Sequence, residues 1–288
     1  MSDTVAVIGL GTMGGGVAER LVTAGAAVRG YDPAPEARER ASQEGVTVHE
    51  SAADALPGAN VVVLSLPGPE DVVRTASEVL VNADRDAVIV DLSSIDPDSA
   101  RQAADSVPHA TYVDAPVLGR PDRCGHWTLV AGGPADAIDR VRPLLESSIA
   151  RKVAHIGEIG SGSVVKLLNN LMFGAINAVT AEALEICERA GVDPELFTAT
   201  VADSGAATVS GLFRELGGKI PAGDYSPSFA LGLLQKDNRL ALRLAERTGS
   251  PSFVAHCVDQ LNTLATTQGW AREDTAAVHR LYRMLTTD

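Results

Sequence analysis

Thr4-Val5-Ala6-Val7-Ile8-Gly9-Leu10-Gly11-Thr12-Met13-Gly14 is the stretch that decides the fold. An apolar run of strand length breaks at a Gly-x-Gly-x-x-Gly turn, which opens a helix-compatible segment over residues 13–24. That pattern alone is a weak signal, and its context gives it weight. The first glycine permits the tight turn, the second lets a pyrophosphate approach the backbone, and the third lets helix and strand pack closely. The helix N-terminus then faces the phosphates. Asp32 closes the next apolar run, 18 residues after Gly14, where a carboxylate can accept from adenosine ribose hydroxyls. The plainer alternative is a turn that binds nothing, with Asp32 as a helix cap. Strand, turn, helix, strand and acid all in register favour a dinucleotide site made of Gly9, Leu10, Gly11, Thr12, Met13, Gly14 and Asp32.

Outward from that turn, short Val- and Ile-rich runs recur at residues 4–9, 27–32, 60–66, 87–91 and 111–115. Runs of this length suit strands buried on both faces of a parallel sheet. Helix-compatible stretches lie between them, which implies right-handed βαβ units and a doubly wound Rossmann sheet. Residues 127–131 and 153–156 are further strand candidates that extend it. After Gly160 the character changes. Residues 164–189 contain no proline and predict a helix of roughly 40 Å at ~1.5 Å per residue, enough to join two domains. Beyond it the chain reads as helices broken at Gly205, Gly217-Gly218, Pro227 and residues 249–251. The expectation is an α/β dinucleotide-binding domain over residues 1–160 and an all-helical domain, for substrate and oligomerisation, over 161–288.

Composition narrows the function. Asp and Glu outnumber Lys and Arg by 37 to 24, a formal charge of −13, so phosphate backbones and anionic membrane surfaces are disfavoured partners. The three cysteines are odd in number and far apart, which suits a reducing cytosol and a cytoplasmic protein rather than a disulfide framework. No Cys/His cluster has metal-ligand spacing, so no metal is expected. No unbroken apolar run approaches the ~20 residues of a membrane span, and the N-terminus has no basic leader or cleavage site. Asp32 would repel a 2′-phosphate. Position 33 is proline, and the nearest arginines, Arg38 and Arg40, fall further along the next helix, so the expected cofactor is NAD, with NADP as the alternative.

Six segments together resemble one family. GLGTMG (9–14), LSLPGPEDV (64–72), DLSSIDP (91–97), DAPVLG (114–119), GSGSVVKLLNN (160–170) and QKDNRLAL (235–242) stand in the order and spacing of the β-hydroxyacid dehydrogenases. That group includes 3-hydroxyisobutyrate dehydrogenase and tartronate semialdehyde reductase. The resemblance covers the whole chain and implies hydride transfer between a nicotinamide cofactor and a small 3-hydroxy acid or its semialdehyde. It places the catalytic lysine at Lys166 and its partner asparagine at Asn170. Four residues apart on a helix, these share one face. A lysine there can protonate the carbonyl oxygen, or deprotonate the hydroxyl in reverse, and its charge stabilises a developing alkoxide. Outside the resemblance, a lone helical lysine is usually solvated, although Val164, Val165, Leu167 and Leu168 make this segment apolar.

The resemblance also implies Leu66 and Pro67 along the cofactor, Ser94 near the nicotinamide ribose, and Lys236 near the cofactor, with Asp237 orienting a neighbour. The plainer readings are an N-cap for Ser94 ahead of Asp96-Pro97 and a surface lysine for Lys236. The substrate loop departs from the family. Asp114-Ala115-Pro116-Val117-Leu118-Gly119-Arg120-Pro121 replaces the usual Asp-Ala-Pro-Val-Ser-Gly-Gly. Leu118 removes a hydroxyl and Pro121 removes a backbone donor. Arg123 and Trp127 stand where small residues are usual. Either Arg120 or Arg123 grips an anionic substrate in place of the lost contacts, with Leu118 and Gly119 beside it, or the loop no longer binds a carboxylate. Cys124 lacks an activating base and reads as packing. Three functions remain open: the hydroxy-acid dehydrogenase, an imine or uncharged-aldehyde reductase of the same fold, and a dinucleotide-binding sensor without turnover. The related 6-phosphogluconate dehydrogenase has a much longer helical region than this chain. A homodimer or homotetramer is expected.

Overall fold

A computed structural model describes residues 3–205, 208 and 210–285. The chain forms two compact units, Met1–Lys166 and Leu167–Asp288. In the first, nine strands make one sheet among the described residues. The order along the chain is β1 (Thr4–Ile8), α1 (Thr12–Thr23), β2 (Ala27–Tyr31), α2 (Pro35–Gln43), β3 (Thr47–Val48), α3 (Ala52–Ala55), β4 (Val61–Leu64) and α4 (Pro69–Glu78). There follow β5 (Val88–Asp91), α5 (Pro97–Asp105), β6 (Thr111–Asp114), β7 (Val117–Leu118), β8 (Trp127–Gly132), α6 (Ala135–Ser148) and β9 (Ala150–Gly157). In space the strands run β3-β2-β1-β4-β5-β6-β8-β7, with β9 paired to β8. From β3 to β6 every pairing is parallel, the doubly wound Rossmann order.

Strand periodicity explains why the unit has three layers. Val5, Val7, Val61, Val63, Val88 and Val90 face α1, α2 and α6, in one cluster with Val17, Leu21, Ala37, Ile138 and Leu145. Their alternates Ala6, Ile8, Val62, Leu64 and Ile89 pack with Leu56, Val72, Ala76, Ala100 and Ala103 from the other side. Each fully buried aliphatic side chain contributes roughly 1.5–3 kcal/mol relative to exposure. The sheet extension over 127–131 forms as expected, with a change of sense: β8 is antiparallel to β6 and to β7, then parallel to β9. Two strands escape the sequence reading, β3 and β7, because two residues each give no measurable periodicity.

The second unit is helical. The boundary falls inside α7 (Ser161–Arg189), which is followed by α8 (Pro194–Asp203), α9 (Gly211–Lys219), α10 (Leu231–Thr248), α11 (Phe253–Thr267) and α12 (His279–Leu285). Helix α7 begins three residues before the expected Val164, on Ser161. Gly191 follows its end with φ +79°, Pro194 opens α8 behind an Asp193 N-cap, and Gly249 caps α10 at φ +65°. One expectation needs correction. Gly217-Gly218 does not break a helix; both residues lie inside α9. A Cβ on Gly217 would sit 2.0 Å from Thr198 Cγ2, so this glycine exists for close packing of α9 on α8. The absence of an unbroken apolar run holds, yet a windowed average picks out one helix. Helix α7 holds an 18-residue window of mean hydropathy 1.3, long and apolar enough to cross a membrane by composition, with 33% of it buried. Polar breaks at Asn169, Asn170 and Asn177 hide that window from a search for unbroken runs. Two of them are buried within the second unit: Asn170 donates to Asp237 Oδ2 and Asn177 to the Thr275 carbonyl.

Gly217→Ala is expected to lower unfolding stability by about 1–3 kcal/mol through overpacking. Gly218→Ala, where an added Cβ meets nothing within 4 Å, is expected to be neutral or stabilising by up to ~1 kcal/mol. Urea unfolding of both variants checks this, and equal effects at the two positions would contradict it.

Candidate active site

The carboxyl ends of β1, β2, β4 and β5 gather the expected cofactor residues along one edge of the sheet. Gly9 holds φ +94°, and a Cβ there would lie 2.2 Å from the Ser65 carbonyl oxygen. A Cβ on Gly14 would lie 1.9 Å from the Gly9 carbonyl oxygen, so the third glycine of the turn lets α1 close onto the strand. Gly11, by contrast, has open space where a side chain would stand. It is the N-cap of α1 and gives the helix no side-chain cap, which leaves the first-turn N–H groups facing outward for an anion. Thr12 is exposed and Met13 is half-buried against the core. These features fit a dinucleotide pyrophosphate.

Asp32 is tied in place. Its Oδ2 accepts from the Leu10 N–H at 2.7 Å and its Oδ1 from the Ala34 N–H at 2.8 Å. The carboxylate thus bridges the glycine turn and the end of β2, and the N-cap of α2 is Ala34 instead. Arg38 is nearer than the sequence suggested: its Nη1 donates to the Asp32 carbonyl at 2.7 Å. One helical turn of α2 carries the side chain back over the strand end, which a residue count does not reveal. At the next strands, the Leu66 N–H donates to Ser93 Oγ at 2.9 Å, and Pro67 is exposed beside it. Ser94 is not the N-cap of α5. That role belongs to Asp96, which accepts from the Asp98 and Ser99 N–H groups.

Three buried groups that the sequence reading passed over organise this edge. Asp91, fully buried, accepts from the Ser93 N–H at 2.9 Å and the Tyr112 hydroxyl at 2.6 Å. Burial raises its carboxyl above the usual range, and burial likewise raises the Tyr112 phenol. Ser93 therefore links Asp91 to the Leu66 backbone. Asp114, at the end of β6, accepts from Gly160 N–H at 2.7 Å on Oδ1, and from Ser163 N–H at 2.8 Å and Ser163 Oγ at 3.0 Å on Oδ2. Burial pushes this carboxyl up to about 6, against the pull of those hydrogen bonds. A buried polar residue after an apolar strand was the available signal in both cases.

The loop read from the sequence as the substrate loop folds as an antiparallel β7–β8 hairpin, with Val117 opposite Leu129 and Leu118 opposite Thr128. Lys166 Nζ donates to the Val117 carbonyl at 2.9 Å. Trp127, 1% exposed, donates from Nε1 to the Arg120 carbonyl at 2.6 Å. A Cβ on Gly119 would lie 2.1 Å from its Cδ1, so the indole takes up the space at position 119. Arg20 on α1 fixes the far side of the loop by donating to the Cys124 carbonyl at 2.9 Å. Arg120 is half-buried and Arg123 exposed. Burial raises the Cys124 thiol to about 11, which keeps it protonated and fits packing.

In the second unit, Asn170 and Lys236 meet at one carboxylate. Asn170 Nδ2 donates to Asp237 Oδ2 at 2.6 Å, and Lys236 Nζ lies 3.1 Å from Asp237 Oδ1. Asp237 is 2% exposed and orients its neighbours, as expected. Elsewhere in that unit, ligand atoms of Glu185, Glu188 and His279 lie within 4.8 Å of one another. Arg189 and Arg283 already pair with the two carboxylates, so this is an internal ion-pair network.

A doubly wound sheet with its glycine turn, uncapped helix and strand-end acid defines an NAD(P)-binding oxidoreductase. The comparisons specify which. Residues 4–157 match the NAD binding domain of 6-phosphogluconate dehydrogenase, and residues 160–282 match the NAD-binding domain of NADP-dependent 3-hydroxyisobutyrate dehydrogenase. A probable 3-hydroxyisobutyrate dehydrogenase of Mycobacterium tuberculosis is 34% identical over 89% of this chain and 90% of its own length. The 3-hydroxyisobutyrate dehydrogenase of Pseudomonas aeruginosa is 31% identical over 98% and 99%. The solved M. tuberculosis 3-hydroxyisobutyrate dehydrogenase with L-serine superposes with a TM-score of 0.89 at 30% identity, covering 98% of this chain and 100% of that one. The chain belongs to the β-hydroxyacid dehydrogenase family, as an NAD(P)-dependent dehydrogenase acting on CH–OH groups.

Proposed function

We propose that this enzyme interconverts a small anionic 3-hydroxy acid and its semialdehyde, prefers NAD(H), and uses Lys166 as its general acid and base. The observation that carries the reading is Lys166 Nζ held 2.9 Å from the Val117 carbonyl, where the substrate hairpin starts. When bound, the nicotinamide supplies or accepts the hydride. The Lys166 ammonium gives its proton to the carbonyl oxygen as that oxygen gains charge, and the neutral amine takes the hydroxyl proton in the opposite direction. Asn170, fixed by Asp237, has a second amide hydrogen with which to orient the substrate oxygen. Leu118, Gly119 and Arg120 line the acid, with the Arg120 guanidinium gripping its anionic group. Leu66, Pro67 and Ser94 contact the cofactor, and Lys236 is assigned to it by the resemblance alone. Asp32 disfavours a 2′-phosphate, while Arg38 at the same strand end is the group through which NADPH would be tolerated.

Assays of NADH and NADPH oxidation with a panel of semialdehydes, cyclic imines and uncharged aldehydes test this directly. Turnover is expected on an anionic semialdehyde, with kcat/KM higher for NADH. Lys166→Ala should keep NADH binding and lose ~10²–10⁴ in kcat. A loss under about tenfold, or equal kcat/KM for the two cofactors, would overturn the corresponding assignment. Turnover confined to imines would favour the reductase alternative.

We further infer a homodimer or homotetramer. Leu168, Met172, Val179 and Ile186 recur at helical spacing on α7 and are 48–62% exposed, an apolar stripe that a second copy would cover. Mass measurement at micromolar concentration should give an oligomer, and Met172→Glu with Val179→Glu should dissociate it. A wild-type monomer would sink this inference.

A further inference from the structure

Asp114 and Lys166 belong to one closed ring of contacts inside the first unit. Three residues after Asp114 stands Val117, whose carbonyl accepts from Lys166 Nζ. Three residues before Lys166 stands Ser163, whose N–H and hydroxyl both donate to Asp114 Oδ2. The second carboxylate oxygen takes the Gly160 N–H just ahead of α7. One buried side chain therefore anchors both the strand segment that supplies the acceptor and the helical turn that carries the amine. Pro116 stiffens the first path, and α-helical hydrogen bonding fixes the second.

The walls around this carboxylate leave it little freedom. A Cβ on Gly132 would lie 2.5 Å from Asp114 Oδ1, and one on Gly162 would lie 3.0 Å from Oδ2 and 2.1 Å from the Val130 carbonyl oxygen. Glycine at 132 and 162 is thus a condition for the carboxylate to reach the start of α7. Asp91 on β5 is the like charge that reaches it; Tyr112, on Asp114's own strand, donates to Asp91. Strand β8 presents Gly132, the start of α7 presents Gly160 and Ser163, and Lys166 lies one turn further on.

We propose that Asp114 is a positioning residue for the catalytic lysine, aligning Lys166 by holding the first turn of α7 to the strand that leads into the substrate hairpin. This rests on the reading of Lys166 as the acid and base. Protonation turns one acceptor oxygen into a donor facing N–H groups that also donate, so the anchor is whole only above the carboxyl's titration. That titration lies at about 6, so activity should fall as pH drops through that region.

The experiment compares pH profiles of kcat and KM for wild type, Asp114→Asn, Ser163→Ala and Lys166→Ala, each with an NADH-binding control. In Asp114→Asn, kcat should fall by at least about tenfold at neutral pH, KM for NADH should stay within about twofold, and the acid limb should vanish. Ser163→Ala removes a hydrogen bond that favours the ionised carboxyl, so its acid limb should move to higher pH. An Asp114→Asn enzyme with wild-type kcat, or an unmoved limb in Ser163→Ala, would overturn the proposal. The Ser163 result stands alone if Asp114→Asn does not fold. An active Lys166→Ala would instead refute the underlying assignment of the lysine.

Discussion

Burying a carboxylate in a protein interior costs free energy unless donors meet it, and three donors meet Asp114 at the start of α7. The packing between the end of β6 and the start of α7 follows from that requirement. Gly132 and Gly162 lack side chains because the carboxylate and the Val130 carbonyl occupy the room a Cβ would need. Strand β6 ends at the carboxylate, the β7–β8 hairpin begins three residues later, and Lys166 reaches back to that hairpin's first carbonyl. The same principle recurs one strand over. Asp91 is buried against Ser93 and Tyr112, and through Ser93 it fixes the Leu66 backbone at the cofactor edge.

The glycine turn and the β7–β8 hairpin therefore draw on different physics. The glycine turn offers an anion nothing but backbone N–H groups and space, since Gly11 has no neighbour within 4 Å where a side chain would project. The β7–β8 hairpin is instead clamped by side chains: Trp127 onto Arg120, Arg20 onto Cys124, Lys166 onto Val117. Trp127 gives a physical account of this chain's departure from the usual loop. Its indole fills the space beside Gly119 and satisfies the Arg120 carbonyl, so the hairpin keeps a defined shape without the customary serine.

What could be read in advance follows the strength of local signals. Five apolar runs separated by helical stretches dictate a doubly wound sheet, and the Asp32 position follows from strand, turn and helix in register. Two-residue strands such as β7 carry no period, and a glycine pair such as Gly217-Gly218 looks like a break until Thr198 is found against it. Sequence separation understates the approach of Arg38 to Asp32, because it ignores the return of a helix over its own strand. Asp91, Ser93 and Asp114 act through partners up to 49 residues away, which no single segment announces. A catalytic role at Lys166 is legible only through the resemblance of whole segments, since a lone helical lysine is ordinarily solvated.

Chemical rescue of Lys166→Ala by small primary amines tests the central claim most directly, because it asks whether a proton-carrying amine is the missing function. Added amines are expected to restore hydride transfer in proportion to concentration, with a rate that depends on amine basicity. A variant that binds NADH and substrate yet responds to no amine, while retaining its folded stability, would contradict it.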